Sequence, residues 1–294
     1  MIKNSKTVLK VIISVLAVLN LALFVIAYPE MYQPTSPTLA RDFSAYYEAA
    51  WRLMHNPSQV YSWGPQVGDY VILPRVADFK YTPSFLFLVL PFLILDYQDA
   101  MIAFNLLQLL LIPVLAFFVY KLVENKKPVL AVACSMIILI QPLPKIILGA
   151  DLPPSIDFNP FSSYYGGWIN GNAHILQTVL LIGAIYFLAF RKPLWSALLF
   201  SFGLLDPRMG LLATPLLLWH AFKNRQLKRF IFYSFFFTAI ENIPFLFYFN
   251  IGQSFISTNF NWFVASQFFH YEWILIYSVL ALSISEIMAA KNHG

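Results

Sequence analysis

The run AMIAFNLLQLLLIPVLAFFVYKLV, residues 100–123, decides the fold class of this chain. About 18 apolar residues in succession are enough for a helix to cross the hydrocarbon core of a bilayer, and this run is longer. Its one charged residue, Lys121, stands near its end. We therefore expect a membrane-spanning helix here, and we interpret the other long apolar runs of the chain in the same way.

The composition of the whole chain indicates the same class. Hydrophobic residues make up 59% and charged residues 11%, whereas an average soluble domain has roughly 25% charged residues. The net charge of +5 is dispersed, which excludes nucleic acid as an expected partner and fits Lys and Arg gathered in cytoplasmic loops. The one cysteine, Cys134, lies in an apolar run, so no disulfide framework is expected. We predict an all-α, polytopic helical membrane protein with a single integral membrane domain over residues 1–294.

The apolar runs predict eight or nine transmembrane helices. The first, residues 8–27, has basic residues at and before its start (Lys3, Lys6 and Lys10) and lacks a small-residue cleavage pattern, so we interpret it as an uncleaved signal anchor. The basic start places the N-terminus inside the cell, in a multi-pass protein of the cell membrane. The later spans are residues 84–95, 100–123, 129–148, 173–190, 194–205, 209–222, 230–249 and 273–288.

Two polar stretches are predicted to face outside: the first outer loop, residues 29–82, and a second, residues 150–172. In the first loop, apolar residues recur at helical spacing, and Glu48 and Arg52 form a favourable i,i+4 pair. We expect a short helix there, over residues 42–54, that lies on the membrane surface. Two basic groups belong inside, namely Arg191 with Lys192, and the cluster Lys223, Arg225, Lys228 and Arg229.

The orientation of the middle of the chain has more than one solution. Lys126 and Lys127 favour the inside, but a full crossing by residues 84–95 sends them outside. Twelve residues of helix span only about 18 Å, so this segment could be tilted, extended or half-inserted instead. Alternatively, the prolines of Gln141-Pro-Leu-Pro-Lys145 divide the following run into two short helices.

Three groups of motifs stand on the predicted outer side. They are Asp42-Phe-Ser-Ala-Tyr-Tyr-Glu-Ala-Ala50 with Asn56-Pro57-Ser-Gln-Val-Tyr61 and Phe79-Lys-Tyr81-Thr-Pro83, then Gly171-Asn172-Ala-His-Ile-Leu176, and then Leu205-Asp206-Pro207. Together they resemble the GT-C superfamily and, more narrowly, glycosyltransferase family 87, whose members are membrane mannosyltransferases that use a polyprenyl-phosphate sugar donor. The resemblance covers residues 8–222. It departs from the family at three positions: Asn172 replaces a Gln, His174 falls on or near the family's Asn, and Asp206 replaces a Lys.

Transfer of a sugar from a lipid phosphate needs a base for the acceptor hydroxyl and cations for the departing phosphate. The resemblance assigns the role of general base to Asp42; the alternative for Asp42 is a helix N-cap, and the two roles are compatible. The candidates for donor phosphate binding are Arg208, Lys80 and His174, followed by Arg41, Arg52 and Arg75.

The candidates for substrate contacts are Tyr46, Tyr47, Glu48, Tyr81 and Asn172. No metal is expected, because the sequence has no Asp-x-Asp pair and no His or Cys residues at ligand spacing. No cofactor is expected either, and the absence of a Gly-rich phosphate loop argues against a soluble nucleotide-sugar donor.

Three functions stay open. The first is a hexosyltransferase, with mannose as the expected sugar and a lipid or glycan as acceptor. The second is a non-catalytic GT-C-like subunit of a membrane complex. The third is a transporter or lipid carrier, for which Glu241 within an apolar run is the positive sign; its alternative is a helix kink stabilised by a neighbouring helix.

Overall fold

The computed structural model describes scattered helical positions between residues 8 and 25, and then residues 41–61, 79, 81–124, 128–140, 173–205, 207–246, 251 and 253–257. The second outer loop, the last span at 273–288, and the candidates Lys80, Arg75 and Asn172 lie outside the described residues.

Every regular element in the described part of the chain is helical, so the all-α class is confirmed there. The α-helices are α1 Arg41–His55, α2 Leu86–Val89, α3 Tyr97–Val123, α4 Pro128–Ile140, α5 His174–Ala189, α6 Pro193–Gly203, α7 Pro207–Lys223 and α8 Leu227–Leu246. Short 3₁₀ turns cover Pro57–Gln59, Pro83–Phe85 and Leu90–Ile94. The predicted ends of the later spans lie within a few residues of the ends of α5 to α8.

Of the helices described, α3 is the one long and apolar enough to cross a membrane. Its 27 residues extend about 40 Å at 1.5 Å per residue. The helix begins where the Asp96 side chain accepts a 2.9 Å hydrogen bond from the Asp99 amide, which is an N-cap. The apolar helices Pro83–Ile94, α5 and α6 are shorter than a full span, so the number of membrane crossings stays a prediction.

Helix α1 confirms the short helix predicted over residues 42–54. Its apolar side chains, Phe43, Tyr46, Tyr47 and Ala50, recur at helical spacing and are all buried. The ring centroid of Phe43 lies 5.0 Å from that of Phe104 in α3. The apolar face of α1 is therefore covered by other parts of the protein. The sequence predicted a helix that lies on the membrane surface, with this face towards the lipid.

Residues 84–95, expected as one span, form a broken helix. A 3₁₀ turn, one turn of α-helix (α2) and a second 3₁₀ turn follow one another. Pro83 starts the segment, where a proline is tolerated, whereas Pro91 lies inside it and lacks the amide hydrogen that a continuous helix requires. At one end Phe85 packs on Tyr46 with 4.9 Å between ring centroids. At the other end the Leu95 carbonyl accepts a 2.8 Å hydrogen bond from the Tyr47 hydroxyl. Both ends of the segment thus contact α1.

Helices α3 and α5 run parallel. Near their starts, Tyr46 contacts Phe104 of α3 and the Ala173 amide that precedes α5. Near their ends, the ring centroids of Phe118 and Tyr186 are 5.0 Å apart. We call the end of the bundle that holds Tyr46 and Ala173 the α1 end. The opposite end, which carries the α5–α6 and α7–α8 turns, is the basic end.

Candidate functional site

Tyr46 connects three distant segments at the α1 end. Its hydroxyl donates a 2.8 Å hydrogen bond to the Tyr81 hydroxyl and accepts one of 3.4 Å from the Ala173 amide. The two tyrosine rings meet edge to face with 4.9 Å between centroids. The first motif (residues 42–50), the Tyr81-Thr82 motif and the residue before His174 therefore meet at one side chain.

The Tyr46 hydroxyl stays protonated at neutral pH. Burial raises its pKa well above 10, and the neighbouring Tyr81 and the negative charge of Asp42 raise the pKa further. A neutral hydroxyl in this position can donate and accept hydrogen bonds at the same time, as it does here. Tyr46 therefore orients its neighbours through hydrogen bonds and does not act as a general base.

Asp42 is the second residue of α1 and its side chain is half-buried. Because the helix begins at Arg41, Asp42 lies in the first turn and not at the N-cap position before it. A carboxylate in the first turn still interacts favourably with the helix dipole. Residues 42 and 46 are one turn apart on the same side of α1, so Asp42 is next to the meeting point of the three segments.

The third motif joins the same region through the backbone. The Thr82 amide donates a 2.8 Å hydrogen bond to the Leu205 carbonyl, and the Thr82 hydroxyl donates to the same oxygen at 3.3 Å. Helix α7 begins two residues later at Pro207, so Arg208 is its second residue. The side chain of Arg208 and the whole of Asp206 lie outside the described residues.

His174 is the first residue of α5, and its side chain is exposed between the buried Ala173 and Ile175. This exposure argues against a histidine that only fills the core. His174 stands at the start of α5, directly after Ala173, whose amide donates a hydrogen bond to the Tyr46 hydroxyl.

Other predicted candidates help to hold the scaffold. Glu48 and Arg52 form the predicted i,i+4 ion pair, and the Arg52 guanidinium also donates a 3.3 Å hydrogen bond to the Gln59 carbonyl. Arg52 is 4% exposed. Tyr47 donates to the Leu95 carbonyl. The roles of Glu48 and Tyr47 as substrate contacts, and of Arg52 as a phosphate contact, stay predictions beside these observed interactions.

A small pocket opens beside Tyr81. Its cavity volume is about 10 Å³, which is room for about one water molecule and not for a sugar or an isoprenoid unit. Its lining is apolar except for the Tyr81 hydroxyl and the Gln177 amide, which donates a 3.0 Å hydrogen bond to the Gly203 carbonyl. The lining residues are Tyr81, Phe85, Ala173, Leu176, Gln177, Leu180, Phe202 and Leu205.

The sequence interpretation missed Gln177 and two further buried amides, Asn105 and Gln108 in α3. The available signal was the presence of amide side chains inside long apolar runs, where polar residues are costly. Glu241, by contrast, accepts a 2.7 Å hydrogen bond from Ser201 of α6. This contact favours an acid held by a neighbouring helix over a residue of a transport pathway.

Among the described residues, no group of three or more His, Cys, Asp or Glu side chains could hold a metal ion. Comparison of the chain with protein-family models, with curated proteins and with solved structures gives no match. The resemblance to glycosyltransferase family 87 therefore stays an interpretation of the motifs.

Proposed function

We propose that this chain is a polytopic membrane glycosyltransferase of the GT-C type. It would move a hexose, with mannose as the first choice, from a polyprenyl-phosphate donor to a lipid or glycan acceptor on the outer face of the cell membrane. The observation that carries the proposal is the hydrogen-bonded contact of Tyr46 with Tyr81 and Ala173, next to Asp42. Motifs from three distant parts of the chain meet there, which supports a common site.

The surface of α8 supports a membrane location. Large apolar side chains are exposed along this helix, and soluble monomers rarely expose apolar patches of this kind. These side chains are Ile231, Phe232, Phe235, Phe236, Ile240 and Ile243, with Phe235 as the most exposed at 76%. The acyl chains of a bilayer would cover such a helix face.

The contacts of the Pro83–Ile94 segment support its half-inserted alternative. Both of its ends contact α1, so the chain enters and leaves this segment on the same side of the bundle. In this arrangement α3 would run from outside to inside, which agrees with the positive-inside expectation for the Lys126-Lys127 sequence that follows it and for Arg191 and Lys192.

In the proposed reaction, Asp42 accepts the proton of the acceptor hydroxyl as that oxygen forms a bond to the anomeric carbon. The bond from the anomeric carbon to the phosphate oxygen breaks, and its electron pair leaves with the polyprenyl phosphate. Three groups are proposed to stabilise this charge: His174, which starts α5, together with Arg208 and Lys80. Tyr46 and Tyr81 hold the start of α5 and Asp42 in fixed positions relative to each other.

Transfer of radiolabelled mannose from polyprenyl-phosphate mannose, in membranes that carry the full-length protein, tests this proposal. Asp42→Asn should lower the rate by at least about 100-fold, the usual contribution of a general base. Asp99→Asn is the matched control, because Asp99 is an exposed acid in the first turn of α3 at the same end of the bundle. Equal rates for the wild type and Asp42→Asn would overturn the assignment of the base.

A second candidate, a non-catalytic GT-C-like subunit, has one observation in its favour. The motif residues Tyr47, Glu48 and Arg52 serve internal contacts, as a retained scaffold would use them. Absence of transfer with every hexose donor tried, together with co-purification of a second membrane protein, would favour this candidate.

A further inference from the structure

Two turns at the basic end have the same backbone geometry. After α5, the Arg191 amide donates to the Leu188 carbonyl and the Lys192 amide donates to the Phe187 carbonyl. After α7, the Arg225 amide donates to the Phe222 carbonyl and the Gln226 amide donates to the Ala221 carbonyl. Both sets of hydrogen bonds form the Schellman motif, in which the residue after the C-cap has the left-handed backbone conformation, with positive φ.

An arginine occupies this left-handed position in both turns. Arg191 has φ 58° and Arg225 has φ 56°. Glycine is the preferred residue there, because an L side chain in this conformation brings its Cβ too close to the backbone. Residues kept in such conformations often serve a function. An unfavourable choice made twice at equivalent positions indicates that the guanidinium groups have a role other than helix termination.

The two turns are fixed to each other. The buried Gln226 side chain, which follows Arg225, donates a 3.2 Å hydrogen bond to the Leu188 carbonyl in the last turn of α5. Arg191 comes three residues after Leu188, so both arginines are anchored to one junction. Both side chains are exposed.

The surroundings of the two arginines combine positive charge with aromatic rings. Further exposed cations are Lys192, Lys223, Lys228 and Arg229. The acid described at this end, Glu124, is paired with Lys121 at 2.6 Å. Exposed aromatic side chains accompany the cations, namely Phe190, Trp195, Trp219 and Phe222, and Lys223 lies over the Trp219 ring at 5.0 Å. Aromatic and basic side chains together are typical of a membrane–water interface.

We propose that Arg191 and Arg225 form a binding site for the phosphate group of an anionic phospholipid at the inner leaflet. A guanidinium pairs with phosphate oxygens through two parallel hydrogen bonds, which explains arginine at both positions. The other explanation is that these cations only interact with the C-terminal ends of helices. The inference rests on the proposed membrane location and is independent of glycosyl transfer.

Lipid retention by the purified full-length protein tests the site. Protein from vesicles of equal parts phosphatidylglycerol and phosphatidylcholine with identical acyl chains is purified, and its bound lipid is quantified by mass spectrometry. The wild type should retain phosphatidylglycerol preferentially. The double variant Arg191→Gly/Arg225→Gly should lose about tenfold or more of this preference, since two charges near the headgroups are removed. Arg191→Lys/Arg225→Lys should keep part of it.

The matched control is Lys228→Gln/Arg229→Gln, which removes two exposed charges from the same end and should change the preference less than twofold. Equal losses in both double variants, or no preference in the wild type, would overturn the site. The glycine variant should also have a higher melting temperature than the wild type in pure phosphatidylcholine, and a lower one would contradict the proposal. Carbonate-washed membranes test the membrane location separately, so a protein that stays in them without lipid preference refutes this inference alone.

Discussion

The hydroxyl oxygens of Tyr46 and Tyr81 lie 2.8 Å apart, although 35 residues separate the two tyrosines in the chain. Tyr46→Phe removes this donor and also the acceptor of the Ala173 amide. We expect a loss of about 1–2 kcal/mol in the free energy of unfolding, because buried polar groups are left unsatisfied. Tyr47→Phe should cost a similar amount through its lost hydrogen bond to Leu95. Tyr46→Phe should also lower kcat for mannose transfer, and an unchanged kcat in this variant would make Tyr46 purely structural.

The stability of the protein should fall at alkaline pH. Burial raises the pKa of Tyr46 and of Tyr61 well above the ordinary value of 10. Folding disfavours the phenolate form of both tyrosines. Their contribution to the free energy of unfolding is therefore complete below pH 10, and it is lost as the pH rises from 10 towards their pKa values in the folded state. The slope should be about 1.4 kcal/mol per pH unit for each tyrosine. Unfolding measured between pH 9 and 11 should give a shallower slope for Tyr61→Phe, and an unchanged slope would contradict the burial effect.

The Glu48–Arg52 ion pair should be worth more than the Lys121–Glu124 pair. Arg52 and Glu48 have side-chain exposures of 5% and 13%, against 35% and 19% for Lys121 and Glu124. Glu48→Gln should cost about 3 kcal/mol, since it leaves a buried guanidinium without this carboxylate. Glu124→Gln should cost at most about 1 kcal/mol. Chemical unfolding in detergent micelles compares the two, and similar costs would mean that water reaches Arg52.

Gly210 and Gly183 should respond differently to alanine. A Cβ atom at Gly210 would lie 2.9 Å from the Leu204 Cα, so backbone would have to move. At Gly183 the nearest atoms are side-chain ends, with the Leu199 Cδ1 at 2.8 Å. We expect Gly210→Ala to cost about 2 kcal/mol from overpacking. Gly183→Ala should be close to neutral, because the gain in helix propensity, about 1 kcal/mol, offsets the contact. Melting temperatures of the two variants measure this contrast.

Local sequence patterns predicted the helices better than they predicted the site. Apolar runs and prolines gave the approximate ends of α5 to α8, because helix periodicity and termination are local properties. For Pro83–Ile94 the sequence left a full span, a tilted or extended segment and a half-inserted one open, since a short apolar run reads the same whether it spans or turns back. The contact of Tyr46 with Ala173 joins residues 127 positions apart and leaves no local signal. The motif resemblance gave Asp42 and His174 as candidates, and the Glu48–Arg52 pair follows from local helical spacing. The hydrogen bond from Tyr47 to Leu95, 48 positions away, depends on packing that the local sequence does not encode.

The hydrogen bond from Thr82 to Leu205 has a consequence for the synthesis of the protein. The two residues are 123 positions apart. At about 5–20 residues per second, the ribosome needs roughly 6–25 s to make the chain between them. During this interval the Tyr81-Thr82 segment of the site has no partner from the turn between α6 and α7. The proposed catalytic centre is therefore assembled late, and a nascent chain that ends before Leu205 contains Asp42 and Tyr46 without a complete site.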